Sequence, residues 1–400
     1  MARIAVLMLC HRIPYPADKG DKIRNLHLLR ALQQVADVHL GCFIDSRFDL
    51  QYQHQLATEV SELYCLYRPP AAGLWQAAAG LLSGRAITSA WYADKRMQRW
   101  IDKTMSTTDC LLVSSAAMVQ YCHNRPASMP AVLDLVDVDS DKWRQYAAKT
   151  AWFWRWLYQR EARLVGDIEA AAAHSFDYLT LVSDSEADCF RQLHPKAPPE
   201  KVQGLSNGVD SSYFAPTGAA TVAGRIVFTG EMNYKPNVEA VLWFVSEVWP
   251  KILTLQPQAS FIIVGRNPVP AIRALHQQQN IQVTGRVDDV RPWLASAALV
   301  VAPMQLARGI KNKVLEAMAM AKPLVATPQA MYGLQQLPPS EALIIASDAS
   351  DFAGACVQLL NLPSAEMPHH RAYVQEIFSW QQRLAPLFSM LNPDATGWHS

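Results

Sequence analysis

The chain has 400 residues, of which 50% are apolar and 18% are charged, and its formal net charge at pH 7 is +1. This composition excludes a disordered or fibrous chain, and the length favours two globular domains over one. The near-neutral charge argues against binding nucleic acid over a broad surface.

The seven cysteines are scattered along the chain and include no C-x-x-C pair. This pattern indicates reduced thiols and a cytoplasmic protein, since a disulfide framework or a zinc site would need paired cysteines. The opening ARIAVLMLCHR has a short apolar run and no small-residue cleavage pattern, so we expect a buried strand there, not a signal peptide. No stretch reaches the roughly 20 apolar residues that a membrane-spanning helix needs.

Short apolar runs alternate with helical patterns, which is typical of parallel sheets wrapped by helices. The first half contains the predicted strands RIAVLML, DVHLGCFI, DCLLVSS, AVLDLV and DYLTLVS. The second half contains GRIVFTG, ASFIIVG, NIQVTG, ALVVAP, PLVATP and ALIIAS. A stretch rich in Pro, Gly and Ser at residues 194–224 separates the two sets. The sequence therefore predicts two doubly wound α/β domains, with the boundary at 205/206.

The segment RGIKNKVLEAMAMAKP follows the predicted strand ALVVAP. Lys311 and Lys313 lie at the start of a predicted helix, where the helix dipole favours negative charge. A bound phosphate would account for these cations and for Arg308, and Gly309 would let the backbone approach it. Lys313 and Glu316 share one helix face. We predict a clamp on a sugar nucleotide, the alternative being a solvated helix with ordinary surface charges.

The segment HRIPYPADKGDKIRNLHLLRAL follows the first predicted strand and leads into a helix. A glycine and charged residues again meet at a helix start, which favours anion binding. A turn that needs only glycine geometry would explain Gly20 but not Lys19, Asp21, Lys22 and Arg24. We therefore favour a ligand-binding role for this loop.

The segment VFTGEMNYKPN follows the first predicted strand of the second domain. Gly230 and Lys235 are expected to reach phosphates from the side opposite Lys313. Pro236 is equally well explained as a proline in the first turn of a helix.

The segment VLDLVDVDSDKW has four carboxylates, but it lacks the glycine and glutamate of an EF-hand loop. A D-x-D manganese site is the alternative to a helix capped by Asp139 or Ser140, and we favour the cap. Asp137 ends the strand and is expected to contact a substrate hydroxyl.

A helix is predicted from Trp143 to Ile168. One side is expected to be a core stripe, formed by Trp143, Tyr146, Thr150, Trp154, Leu157 and Leu164. The other side combines aromatic and basic residues, namely Lys149, Trp152, Trp156, Arg160 and Arg163. Such a face suits an anionic membrane surface, although core packing with arginines that reach to solvent is the favoured alternative.

Taken together, NGVDSSYF, TGEMNYKPN, VTGRVDD and KVLEAMAMAKPLVAT resemble glycosyltransferase family 4, the retaining enzymes of the GT-B fold. HRIPYPADKGDKIR, LVDVDSDKW and ARGIKNKVLEAMAMA are most similar to the sugar transferases of exopolysaccharide loci associated with exosortase (PEP-CTERM) systems. The resemblance implies two Rossmann-like domains that face each other across a cleft. It also implies that the C-terminal helix, within residues 378–400, crosses back to the first domain, leaving 206–377 as the nucleotide-sugar domain.

The resemblance further implies roles for single residues. Glu316 would hold the ribose hydroxyls, and the backbone from Gly285 to Val287 would contact the base. Lys235 and Lys313 would bind the diphosphate. The remaining residues expected to bind substrate are His11, Lys19, Gly20, Gly230, Arg308, Gly309 and Lys311. We assign Asp137, Lys313 and Glu316 to the catalytic group, and we expect no metal or other cofactor.

Three positions depart from the family pattern. The first glutamate of its E-x7-E pair falls on Arg308, so we expect this residue to serve phosphate. The arginine usual after the phosphate-loop glycine is replaced by Glu231, for which Arg308 is expected to compensate. The histidine common after the fifth strand is missing, and Asp137 or Asp139 occupies that neighbourhood.

The predicted function is transfer of a sugar from a nucleotide-diphosphate sugar to a lipid-linked glycan, with retention of the anomeric configuration. The enzyme would act in the cytoplasm, with possible attachment to the inner face of the plasma membrane. One alternative is a sugar-nucleotide epimerase, which would need acid and base groups such as His11, Asp137 and Asp139. Another is a non-catalytic module that binds nucleotide sugars, suggested by the lost glutamate.

Overall fold

The structure of the protein is a computed structural model. The structure describes residues 3–17, 19–148, 150–278, 280–305, 311–334, 337–362 and 367–392. Its contacts divide the chain into two compact units, Met1–Ser206 with Leu384–Ser400 and Asn207–Arg383.

The first unit contains a parallel sheet of seven strands, in the order β3-β2-β1-β4-β5-β6-β7. The strands are β1 (Ile4–Cys10), β2 (Ala36–Ile44), β3 (Glu62–Tyr67), β4 (Cys110–Ser114), β5 (Ala131–Val136), β6 (Tyr178–Leu181) and β7 (Val202–Gly204). The five predicted strands of this half are confirmed, whereas β3 and β7 were missed. These two lie at the edges of the sheet, where β3 is only half-buried and β7 is three residues long.

Helices cover this sheet. They are α1 (Gly20–Gln33), α2 (Gln53–Glu59), α3 (Pro70–Leu82), α4 (Ile87–Trp91), α5 (Lys95–Met105), α6 (Asp139–Ala148), α7 (Trp152–Ser175) and α8 (Asp184–Leu193). Short 3₁₀ helices occur at Arg47–Tyr52, Ala116–Tyr121 and Pro199–Lys201. The core between sheet and helices is apolar, as parallel sheets covered on both faces require.

The second unit contains a parallel sheet of six strands, in the order β10-β9-β8-β11-β12-β13. The strands are β8 (Arg225–Thr229), β9 (Ser260–Val264), β10 (Ile281–Gly285), β11 (Leu299–Ala302), β12 (Leu324–Ala326) and β13 (Leu343–Ile345). All six predicted strands of this half are confirmed.

Helices lie between most strands of this unit, and three more follow the last strand. They are α9 (Lys235–Trp243), α10 (Trp249–Leu255), α11 (Pro270–Arg273), α12 (Arg291–Ala295), α13 (Asn312–Ala319), α14 (Ala349–Leu360), α15 (Pro368–Ile377) and α16 (Trp380–Leu391). A π-helical turn at Phe244–Val248 joins α9 to α10. The first turn of α16 belongs to the second unit, and its residues from Leu384 onward belong to the first.

Each sheet has one point at which the strand order reverses. This switch point lies between β1 and β4 in the first unit and between β8 and β11 in the second. In open α/β sheets, ligands bind beyond the carboxyl ends of the strands at such points, because the loops there diverge to opposite faces. A ligand-binding site is therefore expected at the loops that follow β1, β4, β8 and β11.

The predicted continuous helix from Trp143 to Ile168 is wrong. The structure has two helices, α6 and α7, which fold back on each other as a hairpin. The backbone of Ser140 donates a hydrogen bond to Glu169 Oε1 (3.0 Å), and the rings of Trp143 and Tyr158 lie 5.4 Å apart. Because the chain reverses between the helices, the expected core stripe is not buried as a unit.

Two members of that stripe, Tyr146 and Trp154, are half-exposed near the turn of the hairpin. Lys149 lies outside the described residues. None of the helices in the described ranges combines the length and the hydropathy needed to cross a bilayer.

Candidate functional site

The loop after β8 is pressed against the loop after β9. Gly230 donates its backbone N–H to the carbonyl of Val264 at 3.0 Å. A Cβ atom on Gly265 would lie 1.6 Å from the carbonyl oxygen of Gly230. Position 265 must therefore be glycine if the loop after β8 is to keep its place at the switch point.

Gly230 also lies against the side chain of Asn237, in the first turn of α9. A Cβ atom on Gly230 would lie 2.7 Å from Asn237 Nδ2 and 3.2 Å from Lys313 Nζ. The Asn237 amide donates to the carbonyl of Glu231 at 3.0 Å and is buried. Because residue 230 has no side chain, a ligand can approach both its backbone and the neighbouring polar groups of Asn237 and Lys313.

Lys313, on α13, joins this cluster from the other side of the switch point. Its ammonium donates to Asn237 Oδ1 at 2.7 Å and lies 3.9 Å from the centre of the Phe228 ring. Gly230, Asn237 and Lys313 are thus brought together from β8, α9 and α13. Asn237 was missed in the sequence, because an asparagine in a first helical turn has an ordinary role as a local hydrogen-bond former.

Lys313 and Glu316 have unusual ionisation. Burial lowers the pKa of Lys313 to about 7; the neighbouring Lys311 acts in the same direction, and Glu316 opposes it. Burial raises the pKa of Glu316 to about 7, against the attraction of Lys313. An anion bound beside Lys313 would favour its charged form, so this cluster can couple anion binding to proton uptake. Perturbed ionisation at a switch point is typical of functional sites.

The start of α13 lacks the usual capping chemistry. Lys311 is the N-cap residue and makes no side-chain cap hydrogen bond, and the first turn contains no acidic residue. The N-terminal end of α13 can therefore receive an anionic ligand. Arg308 and Gly309, predicted to bind substrate, lie outside the described residues.

Other predicted residues lie elsewhere in this unit. Lys235 begins α9, is mostly exposed and pairs with Glu239 at 3.3 Å. Gly285 ends β10 with a positive φ of 70°, and Val287 is half-buried against the core. Neither Gly285 nor Val287 is among the described contacts of Lys313.

Arg266 is a cation near this site that was missed in the sequence. It follows β9, and its Nε lies 3.4 Å from the carboxylate of Glu231. Glu231 occupies the position where the resembling family has an arginine. The structure thus places a guanidinium from the neighbouring loop beside that position. Arg266 and Glu231 lie side by side because β8 and β9 are neighbouring strands, and the sequence around Arg266 does not reveal this contact.

In the first unit, the loop after β1 carries His11 and leads to Lys19 and Gly20 at the start of α1. His11 Nε2 lies 3.2 Å from Asp21 Oδ2, and Arg12 donates to the same oxygen at 3.0 Å. Burial would raise the pKa of Asp21, but its bonds to His11 and Arg12 hold it well below the usual range. Gly20 is exposed, with open space around its Cα.

Two of the charges counted as evidence for ligand binding in this loop have a structural role. Lys22 is buried and donates to Asp49 at 2.6 Å. Arg24 is buried and donates to both oxygens of Asp134 at 2.7 Å. Buried charges need such partners, so these side chains are explained by the fold itself.

Some buried polar atoms of the first unit lack a hydrogen-bond partner, and several of them belong to residues at the ends of β1 and β4. Among the described residues, His11 Nδ1, both polar atoms of the Asn25 amide, and the hydroxyls of Ser114 and Ser115 are buried without a hydrogen-bond partner. Ser115 also has a positive φ of 81° directly after β4. Buried polar groups normally find partners, and strained backbone collects at functional sites. This edge is therefore suited to a polar ligand.

Asp137 follows β5, directly after Val136, which has a positive φ of 69°. The Asp137 carboxylate pairs with Lys142 Nζ at 2.7 Å, and Asp139 pairs with the same ammonium at 3.3 Å. Helix α6 begins at Asp139, so both residues predicted to cap it lie in its first turn, where the backbone N–H and the hydroxyl of Ser140 donate to Glu169 of α7. No cluster of three metal-binding side chains occurs in the described part of the chain.

Residues 223–362 match the model of the family described as Glycosyl transferases group 1. A search among proteins of curated function finds no sequence match.

Several solved structures share the fold over nearly their full length. HepE of Anabaena in complex with UDP is 15% identical, with a TM-score of 0.62 over 97% of this chain and 100% of that one. Sucrose-phosphate synthase of Thermosynechococcus elongatus is 15% identical, with a TM-score of 0.66 over 98% and 100%. A glycosyltransferase of Rickettsia africae is 13% identical, with a TM-score of 0.61 over 98% and 99%. The chain therefore has the α/β fold of these GT-B structures, and its residues 223–362 are similar to the glycosyl transferases group 1 family.

Proposed function

We propose that the protein is a retaining glycosyltransferase of family 4, in the exopolysaccharide (PEP-CTERM) subgroup. It would move a sugar from a nucleotide-diphosphate sugar to a lipid-linked glycan. The observation that carries the proposal is the convergence of Lys313 and Asn237 on Gly230 at the switch point of the second unit. A half-buried ammonium, a glycine backbone and a helix start together suit a diphosphate.

In this proposal the donor lies along the loops that follow the strands of the second unit. Lys313 binds the diphosphate, and Glu316, one turn further along α13, accepts the ribose hydroxyls. The backbone of Gly285 to Val287 contacts the base. The other residues proposed to serve the diphosphate are Gly230, Lys235, Arg266, Arg308, Gly309 and Lys311. UDP is the first nucleotide to test, because HepE, a structural relative, was solved with UDP and with UDP-glucose.

The first unit would supply groups to the reacting sugar and the acceptor. Gly20 offers a backbone N–H to the donor, and Lys19 adds positive charge beside it. His11 and Asp137 contact substrate hydroxyls. The acceptor hydroxyl would attack the anomeric carbon from the side that the diphosphate leaves, and a leaving phosphate oxygen would take its proton. Catalysis then consists mainly of stabilising the charge that develops on the diphosphate.

The proposal needs no metal ion, since the cations of the second unit would neutralise the leaving diphosphate. The enzyme would work in the cytoplasm, at the inner face of the membrane that carries its acceptor.

A thermal-shift screen with UDP, UDP-glucose, GDP and GDP-mannose tests donor binding, because a ligand that binds only the folded state raises the melting temperature. Wild-type protein should respond to one nucleotide class, and Lys313→Ala should lose most of the response. Incubation with a responding sugar nucleotide and membrane lipid extract should then release the nucleoside diphosphate. Conversion of the free sugar nucleotide into an isomer would favour the epimerase alternative, and binding without either product would favour the binding module.

A further inference from the structure

Large apolar side chains are exposed on two helices of the first unit. On α3, Leu74, Trp75 and Leu82 are 63%, 79% and 89% exposed. At the start of α7, Trp152 and Trp156 are 83% and 54% exposed. Single exposed apolar residues are normal, but clusters of tryptophan and leucine of this kind mark interaction surfaces.

Helix α3 presents two different faces. Gly73 and Gly80 face α4, since a Cβ atom on Gly73 would lie 2.5 Å from the Trp91 ring and one on Gly80 would lie 2.4 Å from Ala90 Cβ. The two glycines are seven residues apart, so they lie on one side of the helix. Leu74 and Leu81 share that spacing and lie on the exposed side. The helix thus packs through its smallest residues and leaves its largest ones uncovered.

The exposed aromatic residues of α7 lie at the turn of the α6–α7 hairpin. Tyr158 packs against the ring of Trp143 at 5.4 Å, which holds the two helices together below the turn. Beyond this contact, Trp152, Phe153 and Trp154 are at least half-exposed. The exposed aromatic residues therefore lie at the end of a hairpin whose two helices are held together by the contact between Trp143 and Tyr158.

Two adjacent residues of α7 hold this hairpin to α3 and α4. Arg160 donates to the carbonyls of Gly80, Leu81 and Arg85, at distances from 3.0 to 3.4 Å. The buried carboxylate of Glu161 accepts from the backbone of Thr88 at 2.7 Å. The ends of α3 and α4 are thereby fixed to α7. The exposed residues of α3 and the hairpin turn lie on parts of the fold that are joined directly.

Basic residues predominate around the exposed aromatic side chains. Lys142 and Arg160 are paired within the fold, but the sequence from 143 to 159 contains Arg144, Lys149 and Arg155 and no aspartate or glutamate. The sequence from 69 to 93 contains Arg85 and again no acidic residue. Tryptophan with leucine and arginine, without carboxylates, is the composition of segments that lie in the interface of an anionic membrane.

We propose that the exposed residues of α3 and of the α6–α7 turn form a membrane-binding surface that inserts into an anionic lipid bilayer. A protein partner would pack against the apolar residues equally well, but the excess of basic residues between 143 and 159 matches acidic headgroups. This inference rests on the proposed function, because the surface would hold the enzyme at the membrane that carries its acceptor. Binding of the surface to lipid can nevertheless be measured without any sugar transfer. The surface extends the expected Trp152 and Trp156 face by adding the exposed residues of α3.

Sedimentation of the full chain with vesicles tests the proposal. We expect binding to phosphatidylcholine vesicles that contain about one-third phosphatidylglycerol, and weaker binding to phosphatidylcholine alone. Replacing Trp75 and Trp152 together by Ser should lower the partition coefficient by about tenfold or more, because large apolar side chains would no longer be buried. Unchanged melting temperature and nucleotide response would show that this variant remains folded.

The same substitutions made inside and outside the proposed surface test whether lipid binding depends on this surface. Leu82→Ser should weaken binding, whereas Leu255→Ser, which removes an exposed leucine of the second unit, should not. Arg155→Gln should lower binding to the anionic vesicles about fivefold, corresponding to about 1 kcal/mol per cation at an acidic surface. Arg273→Gln, at an exposed arginine of α11, should leave binding unchanged.

Three results would overturn the proposal. The first is that wild-type protein stays in the supernatant with anionic vesicles, and the second is that the Trp75 and Trp152 double variant binds as wild type does. The third is self-association in the absence of lipid that the double variant abolishes, since the surface would then be an interface between copies of the chain. Nucleotide binding is measured separately, so failure of the membrane surface would leave the donor site standing, and the reverse also holds.

Discussion

Lys313 Nζ donates a hydrogen bond to Asn237 Oδ1 at 2.7 Å, although the two residues are 76 positions apart in the chain. The contact joins α13 to α9 across the switch point of the second sheet, directly beside Gly230. It holds an ammonium group in a half-buried position whose pKa is lowered to about 7. The proposed donor site depends on this pair.

Removal of the ammonium should abolish most of the transfer. Lys313→Ala should lower kcat/KM about 10²–10³-fold, a range typical for loss of one donor that stabilises developing negative charge. The melting temperature should stay close to that of wild type, because the lost group is costly to bury while charged. Lys251→Ala, at an exposed lysine on α10, is the control and should leave the rate unchanged. Wild-type turnover by Lys313→Ala would remove the assigned role.

A negative charge at position 237 should compete with the donor. Asn237→Asp places a carboxylate beside Lys313, where it would raise the pKa of the lysine and take the place of a phosphate oxygen. We expect weaker nucleotide binding by isothermal titration calorimetry, with the protein still folded. Asn361→Asp, which adds the same charge at an exposed asparagine after α14, is the control and should leave nucleotide binding unchanged. Equal or tighter binding by Asn237→Asp would argue that no phosphate lies at this pair.

Nucleotide affinity should fall as the pH rises above 7. The pKa of Lys313 is lowered to about 7, so the free protein loses this positive charge over the range in which an ordinary lysine keeps it. Binding of a diphosphate would restore the proton, and the affinity would decrease by up to about tenfold per pH unit while that proton must be taken up. Calorimetry in buffers of different ionisation enthalpy should show proton uptake near pH 8.

The matched variant for this pH dependence is Lys313→Arg, because a guanidinium stays charged throughout the range. Its affinity, whatever its absolute value, should vary less between pH 7 and pH 9. A wild-type curve that is flat over this interval would mean that Lys313 does not titrate against the bound ligand.

The loops after β8 and β9 lie so close together that a methyl group at position 265 should destabilise the protein. Gly265→Ala would place Cβ 1.6 Å from the Gly230 carbonyl, so the backbone must shift, and we expect a loss of about 1–3 kcal/mol of stability together with weaker nucleotide binding. Gly354→Ala, on an exposed face of α14 with open space around it, should gain about 0.5–1 kcal/mol. Thermal and urea unfolding measure both. A Gly265→Ala variant as stable and as active as wild type would show that the loops can separate freely.

The buried ion pair of the first unit should matter for folding. Arg24→Ala leaves Asp134 buried without its bidentate partner and should cost about 3–5 kcal/mol of unfolding free energy. Arg99→Ala, at an exposed arginine of α5, should stay within about 0.5 kcal/mol of wild type. If the Arg24→Ala protein were as stable as wild type but had lost glycosyltransferase activity, Arg24 would have to bind a ligand.

Sequence patterns predicted most of the strands, because a strand buried on both faces is a continuous apolar run. The edge strand β3 was missed since it mixes polar and apolar residues and is only half-buried. The α6–α7 hairpin was missed because its aromatic and alanine-rich residues continue a helical pattern through the turn. The reversal is stabilised by contacts such as that of Ser140 with Glu169, 29 residues apart, which periodicity does not reveal.

The candidate site was predictable where a residue type alone carries information. Gly230 and Lys313 stand out because a glycine and a lysine at strand ends and helix starts have few structural uses. Asn237 and Arg266 were missed, because their importance depends on which loops become neighbours. Arg24 was overinterpreted for the same reason, since its partner Asp134 is 110 residues away.

A crystal structure of the protein with UDP tests the central claim most directly. We predict that a phosphate oxygen lies within hydrogen-bond distance of Lys313 Nζ, about 3 Å, above the backbone of Gly230. The ribose hydroxyls should then lie against the carboxylate of Glu316. UDP bound elsewhere, with Lys313 and Asn237 left in contact only with each other, would contradict the account.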